Sequence, residues 1–186
     1  QTTIELKKGN ILYADPTLNS DLNFNRSVVL IVEQNELGTV GFILNKKSPY
    51  STIDLVPELL EDFTIYDGGP VENDNLYFIH NIPHLIPNAI KIKEQLYWGG
   101  NYETVVELIN NKKINKDEIK FFLGYSGWNE DQLKEELQNK SWIVSLESEL
   151  EKIALKTSDY IWRNKLTNLG GEYLIWSNSP ENPQHN

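Results

Sequence analysis

The sequence predicts one α+β domain built on a largely antiparallel or mixed sheet flanked by helices. Three observations carry this expectation. Strand-like runs come in pairs joined by short turns, which makes antiparallel neighbours. Helical patterns fall between them without regular alternation, and no repeat or low-complexity linker divides the chain. A chain of 186 residues, 39% of them hydrophobic, is long enough to bury a core, with roughly 70% of its unfolded surface removed from water.

The elements follow in order. Ile11 to Ala14 reads as a strand stopped by Asp15-Pro16, and Thr17 to Arg26 as a polar connection. Ser27 to Glu33 is apolar on both faces, as a strand covered on both sides must be. Gln34 to Leu37 turns it into a second strand, Gly38 to Asn45, and this hairpin is the expected sheet centre. A short helix over Thr52 to Leu60 and a strand over Phe63 to Tyr66 lead to the turn Asp67-Gly68-Gly69-Pro70. Leu76 to His80 is the next strand, and Ala89 to Ile92 with Gln95 to Trp98 form a further hairpin. Val105, Val106 and Ile109 mark a helix over Tyr102 to Asn110, and Glu118 to Leu123 returns to strand. Gly124 to Trp128 reads as a turn into a helix capped by Asn129, with Gln132 at its third position and Leu133 and Leu137 facing inward. Ser141 to Ser145 is a strand, followed by helices over Leu146 to Lys156 and Ser158 to Leu169 that end at Gly170-Gly171. The domain is expected to span residues 1–176, with a disordered tail over 177–186.

Composition removes several classes of activity. Without cysteine there is no disulfide, thiolate zinc site or thiol nucleophile. The longest apolar runs are about five residues, against the roughly 20 that cross a bilayer, so no membrane association is expected and the cytoplasm is the expected compartment. A net charge of −10 opposes binding to a phosphate backbone. Half of that charge lies between Asn129 and Glu151, where carboxylates alternate with leucines as on a solvated helical face.

Four groups of residues could carry chemistry. Ser126 stands between a strand and a helix like a nucleophile elbow, yet that motif needs G-x-S-x-G and Trp128 occupies the second glycine position. His80 ends a strand, where a general base can stand. Its partner at the zinc spacing, His84, is separated from it by Ile82-Pro83, which breaks a regular helix, and no metal is expected. Gly69 and Pro70 belong to a turn whose amides could face an anion. Arg26 and Ser27 open the apolar strand and Asn45 ends its partner; an arginine there binds a carboxylate or phosphate, or pairs with a structural acid. No nucleotide-binding glycine loop of the familiar spacings is present, and no cofactor is expected.

In combination, Phe24-Asn25-Arg26-Ser27-Val28-Val29, Gly38-Thr39-Val40-Gly41 through Asn45, Gly68-Gly69-Pro70-Val71 and Gly124-Tyr125-Ser126-Gly127-Trp128 resemble the YqgE/AlgH family. The resemblance runs from Gly9 through Gln132-Leu133, Glu136 and Trp142 to Trp162-Arg163. It implies a bacterial α+β protein with a curved, barrel-like sheet. It implies no reaction, substrate or cofactor, and the family's link to transcriptional regulation identifies no DNA-binding surface. The chain departs from the family pattern at Gln34, where a histidine is common, at Ser126, often alanine, and at Asp131, usually glycine.

The expected function is therefore a non-catalytic regulatory or binding protein that holds a small ligand or protein partner near Arg26, Ser27, Asn45, Gly69, Pro70, Trp128 and Gln132. Two alternatives are an enzyme, hydrolase or transferase, using His80 with Ser126 or a nearby carboxylate, and a transcriptional regulator without a strong DNA-binding surface of its own. The sequence shows no convincing basic recognition helix, and Lys112-Lys113 with Lys116 form a small loop cluster.

Overall fold

The computed structural model describes residues 5–181. Ten strands form one sheet: β1 (Ile11–Ala14), β2 (Val28–Asn35), β3 (Gly38–Ile43), β4 (Lys47–Ser51), β5 (Thr64–Asp67), β6 (Val71–His80), β7 (Ile90–Lys93), β8 (Leu96–Trp98), β9 (Ile119–Trp128) and β10 (Trp142–Ser145). The main path runs β10-β1-β2-β3-β9-β6-β8-β7, with β4 and β5 attached beside it. Every pairing is antiparallel except that of β5 with β9. Among the described residues the end strands β10 and β7 are not paired with each other, so the sheet is open; it curls enough for β7 to lie against β2.

Among the described residues six α-helices flank this sheet: α1 (Thr52–Leu55), α2 (Tyr102–Asn110), α3 (Glu130–Gln138), α4 (Leu150–Leu155), α5 (Ile161–Leu169) and α6 (Tyr173–Ser177). Packing on both faces explains the apolar run Val28 to Val32 that makes up the first part of β2. Val28, Leu30 and Val32 join a core with Phe42, Phe122 and the α4–α5 residues Leu150, Ala154, Trp162 and Leu166. Val29 and Ile31, on the opposite face, join Trp128, Trp142 and Leu133 of α3. A third core packs Val105 and Ile109 of α2 against Ile65, Phe78 and Phe121.

The largest difference from the sequence reading lies at Gly124 to Trp128, which is strand and not turn. Gly124 has φ +69°, a left-handed conformation that kinks β9 without ending it. Beyond the kink the strand changes neighbours. Residues 121–123 pair with β5, whereas Ser126, Gly127 and Trp128 pair with Gly41, Val40 and Thr39 of β3. The helix capped by Asn129 does follow, with Asn129 Oδ1 accepting from Gln132 N at 2.8 Å.

Smaller differences have local causes. The polar strand β4 has no apolar alternation to announce it and borrows its regularity from β5. β6 begins five residues before Leu76 because its polar stretch Glu72 to Asn75 is accommodated as a register shift against β9. α1 stops at Leu55, two residues before Pro57, and α4 starts only at Leu150. Within the expected disordered tail, Ser177 ends α6 and is buried, while residues 182–186 lie outside the described residues.

Candidate functional site

The candidate site is assembled around the entry to β2. Asp21 Oδ1 accepts from Asn23 N and Phe24 N, and Ser27 N and Oγ both donate to Phe24 O, which folds residues 21–27 into tight consecutive turns. Arg26 takes the left-handed φ of +56° needed to leave them, an uncommon state for a residue with a Cβ. Asn45 then staples the segment: its Nδ2 donates to Arg26 O and its Oδ1 accepts from Val28 N, both at 2.9 Å. Asn45 thereby replaces ladder bonds just where β2 and β3 separate.

This geometry delivers Arg26 onto the face of Trp162, its guanidinium 4.9 Å from the ring centroid. Trp162 is itself fixed, buried with its indole N–H donating to Ala14 O. Around the pair lies a cavity of about 430 Å³ lined by Asn25, Arg26, Asn45, Lys46, Lys47, Asp159, Tyr160, Trp162, Arg163 and Glu181. Four cations thus face two carboxylates on a chain of net charge −10. Burial, and secondarily the like charge of Arg163, pull the Arg26 guanidinium below its ordinary pKa, while Glu181 opposes the shift. Burial likewise lowers Lys46, against the attraction of Glu181, Asp21 and Asp67. Lys46 Nζ donates to Asn23 O at 3.1 Å, and Lys47 pairs with Asp159 across 3.4 Å at the exposed rim. Two buried polar atoms here, Asn25 Oδ1 and Arg26 Nε, have no hydrogen-bond partner among the described residues.

Arg26 and Asn45 are the two sequence candidates that meet in this cavity. Ser27 is fully buried with its hydroxyl spent on Phe24 O, so it shapes the turn and faces no ligand. Gly69 and Pro70 lie elsewhere, in the connection from β5 to β6, where Gly69 (φ +153°) packs its Cα against the Tyr125 backbone. Ser126 is buried and donates to Gly68 O at 3.1 Å. Trp128 is buried too, stacked on Phe24 at 5.7 Å and edge-on to Trp142 at 5.9 Å. Gln132 is exposed on α3.

The pair His80 and Ser126 does not converge. His80 is opposite Ile119, and seven residues of β9, roughly 20 Å of strand, separate that position from Ser126. The histidine is also fully employed. Its Nδ1 accepts from Ile82 N at 3.2 Å, which leaves Nε2–H to donate to Gly99 O at 3.0 Å. Burial lowers its pKa, although the Gly99 carbonyl works in the other direction. This arrangement fixes the loop at Gly99; it offers no free nitrogen to a substrate.

Lys46, Lys47 and Arg163 were not anticipated as site residues. The usable signal was Lys46-Lys47 one residue beyond the apolar run ending at Leu44, a basic pair in an acidic chain. Lys120 was also missed. It is buried at the start of β9, its Nζ donating to Leu44 O at 2.7 Å and Thr157 Oγ1 at 2.8 Å and lying 3.9 Å from the Tyr66 ring centroid. Burial, with some repulsion from Lys47, brings its pKa down to about 7. A lysine inside Ile119-Lys120-Phe121-Phe122 was visible in the sequence as a charge where a core residue belongs. A second cavity, about 370 Å³, lies between β6 and α2 and is lined largely by apolar residues such as Val56, Leu76, Phe78, Trp98 and Val105.

An open, curled α+β sheet with helices on both faces and a cationic recess at one strand entry defines the class of protein. The chain belongs to the AlgH-like family, whose model matches residues 11–174. It is 39% identical over 183 residues to a UPF0301 protein of Cytophaga hutchinsonii, covering 97% of this chain and 100% of that one. A UPF0301 protein of Parabacteroides distasonis is 38% identical, over 96% of this chain and 91% of its own. The fold is shared with a crystal structure of a Corynebacterium diphtheriae protein, with a TM-score of 0.75, 22% identity and coverage of 96% and 95% of the two chains. It is shared also with the solution structure of the AlgH protein of Pseudomonas aeruginosa, with a TM-score of 0.71, 21% identity and coverage of 97% and 98%. Among the described residues no helix is long and apolar enough to cross a membrane.

Proposed function

We propose that the protein is a non-catalytic, cytoplasmic binding domain whose ligand is an anion, a carboxylate or phosphate, held by Arg26, Lys46, Lys47 and Arg163. The observation that carries this reading is the convergence of these four cations on one cavity in an otherwise acidic protein. Arg26 and Arg163 repel each other there, and an anion between them would relieve the repulsion. A guanidinium stacked on an indole is already ordered, so a ligand gains its hydrogen bonds without the cost of fixing a mobile side chain. The enzyme reading is disfavoured because His80, at the end of β6 opposite Ile119, and Ser126, on β9, lie far apart along the β6–β9 pair with their polar atoms engaged. A DNA-binding regulator is disfavoured by the charge, and the recess is too small to track a duplex backbone.

The test is isothermal titration of the protein with inorganic phosphate and with succinate at low ionic strength. Saturable binding is expected, and Arg26→Gln should weaken it by about tenfold or more, since a hydrogen bond to a charged group contributes roughly 1.5–3 kcal/mol. Absence of binding at millimolar concentrations, or equal affinity in the variant, removes the reading.

A further inference from the structure

The recess already holds a piece of polypeptide. Arg26 Nη2 donates to two carbonyls of the chain's own C-terminal segment, Ser179 O at 3.0 Å and Pro180 O at 2.9 Å, and the next residue, Glu181, lines the cavity. Its carboxylate acts electrostatically on both Arg26 and Lys46, raising the pKa of each against the effect of burial. The segment is delivered by α6, where Ser177 is buried and Ser179 N donates to Trp176 O.

We propose that this site takes an acidic peptide segment of a partner protein, and that Ser179-Pro180-Glu181 occupies it as an intramolecular stand-in. The proposal rests on the anion-binding reading and specifies its ligand. One guanidinium nitrogen reading two successive carbonyls recognises main chain, while Lys46 and Lys47 select an acidic side chain beside it. A proline before the acid keeps the segment extended at reduced entropic cost. Even with Glu181 present the cations outnumber the carboxylates, so displacement of the segment leaves a more positive recess for a competitor carrying more than one acid. Because the stand-in is tethered, it competes at high effective concentration, and the affinity for an external peptide falls by the fraction of time the site is open.

The experiment measures fluorescence anisotropy of a labelled, C-terminally amidated Asn-Ser-Pro-Glu-Glu peptide with the full chain and with a variant ending at Asn178. The shortened variant should bind about tenfold more tightly. Arg26→Gln in the shortened chain should abolish binding, and inorganic phosphate should compete. Should shortening unfold the protein, the full-length Pro180→Gly and Glu181→Lys variants carry the same comparison, each expected to bind the peptide more tightly than the unchanged chain. Equal affinity across all these chains, or phosphate binding without peptide binding, overturns the peptide proposal and leaves a small-anion site. Failure of both phosphate and peptide overturns the anion reading as well.

Discussion

Two regions of the molecule invite comparison: the glycine-rich crossing where β9 changes partners, and the recess around Arg26. The crossing contains the most conspicuous sequence, Gly68-Gly69-Pro70 and Gly124-Tyr125-Ser126-Gly127-Trp128, yet its chemistry is consumed internally. A Cβ at Gly68 would strike Gly124 O, one at Gly69 the Tyr125 carbonyl, and one at Gly124 the Gly69 carbonyl. The glycines are there because two backbones touch. The recess, by contrast, is assembled from ordinary residues drawn from the β1–β2 connection, the β3–β4 connection and the first residue of β4, α5 and the residues just before it, and the C-terminal segment, and only the fold brings them together. Special residue types mark where the chain is sterically demanding, which need not be where it meets a ligand.

The largest effect that would break this contrast concerns Gly69. Gly69→Ala combines a strained φ of +153° with a collision against the Tyr125 backbone, neither of which a side-chain rotation relieves. We expect a loss of about 3 kcal/mol or more in urea unfolding, or failure to fold. A variant as stable as the wild type would show that the crossing is looser than its glycines imply.

Next in size is the effect of pH on Lys120, which links the two regions because it sits on β9 and hydrogen-bonds Leu44, the residue before Asn45. Burial holds its pKa near 7 in the folded protein, against an ordinary value of about 10.4 in the unfolded chain. Between those values the unfolded state binds the additional proton, so stability rises with pH, by about 1.4 kcal/mol per unit at most. Below pH 7 the group is charged in both states and contributes no slope. Tyr13, whose pKa is raised by burial and by Glu147, works with the opposite sign, but only from about pH 10 upward. Urea unfolding at intervals from pH 7 to 9.5 should show the rise in the wild type and a flatter profile in Lys120→Met. Parallel profiles would mean that the Tyr66 face and the two acceptor oxygens hold the ammonium charged through this range.

How much could be read beforehand follows from the same contrast. The cores were readable because burial on both faces leaves Val28 to Val32 of β2 no polar position, and because Val105 with Ile109 and Leu133 with Leu137 stand at helical spacing. The strand character of Gly124 to Trp128 was not, since glycine and serine are the residues of turns and only the pairing with β3 makes this segment extended. Arg26 and Asn45 were found individually through their places at strand ends. Their partners were not, because Lys46 engages a loop carbonyl and Arg163 arrives from a helix more than a hundred residues away, and neither proximity is written in local periodicity.

The smallest effect discriminates most sharply between the regions. Ser126→Ala removes one buried hydrogen bond to Gly68 O and leaves that carbonyl still bonded by Ile43 N, so the loss should be about 1 kcal/mol. A structural serine predicts that this change lowers the urea midpoint slightly while phosphate and peptide binding at Arg26 stay unaltered. Alanine keeps the Cβ at this β9 position opposite Gly41 of β3 and removes only the hydroxyl oxygen. If affinity fell along with stability, the crossing and the recess would be mechanically coupled through β3, which runs from Thr39 beside Trp128 to Ile43, two residues before Asn45. Unchanged affinity in the folded variant assigns the conspicuous motif to architecture and the binding chemistry to the recess.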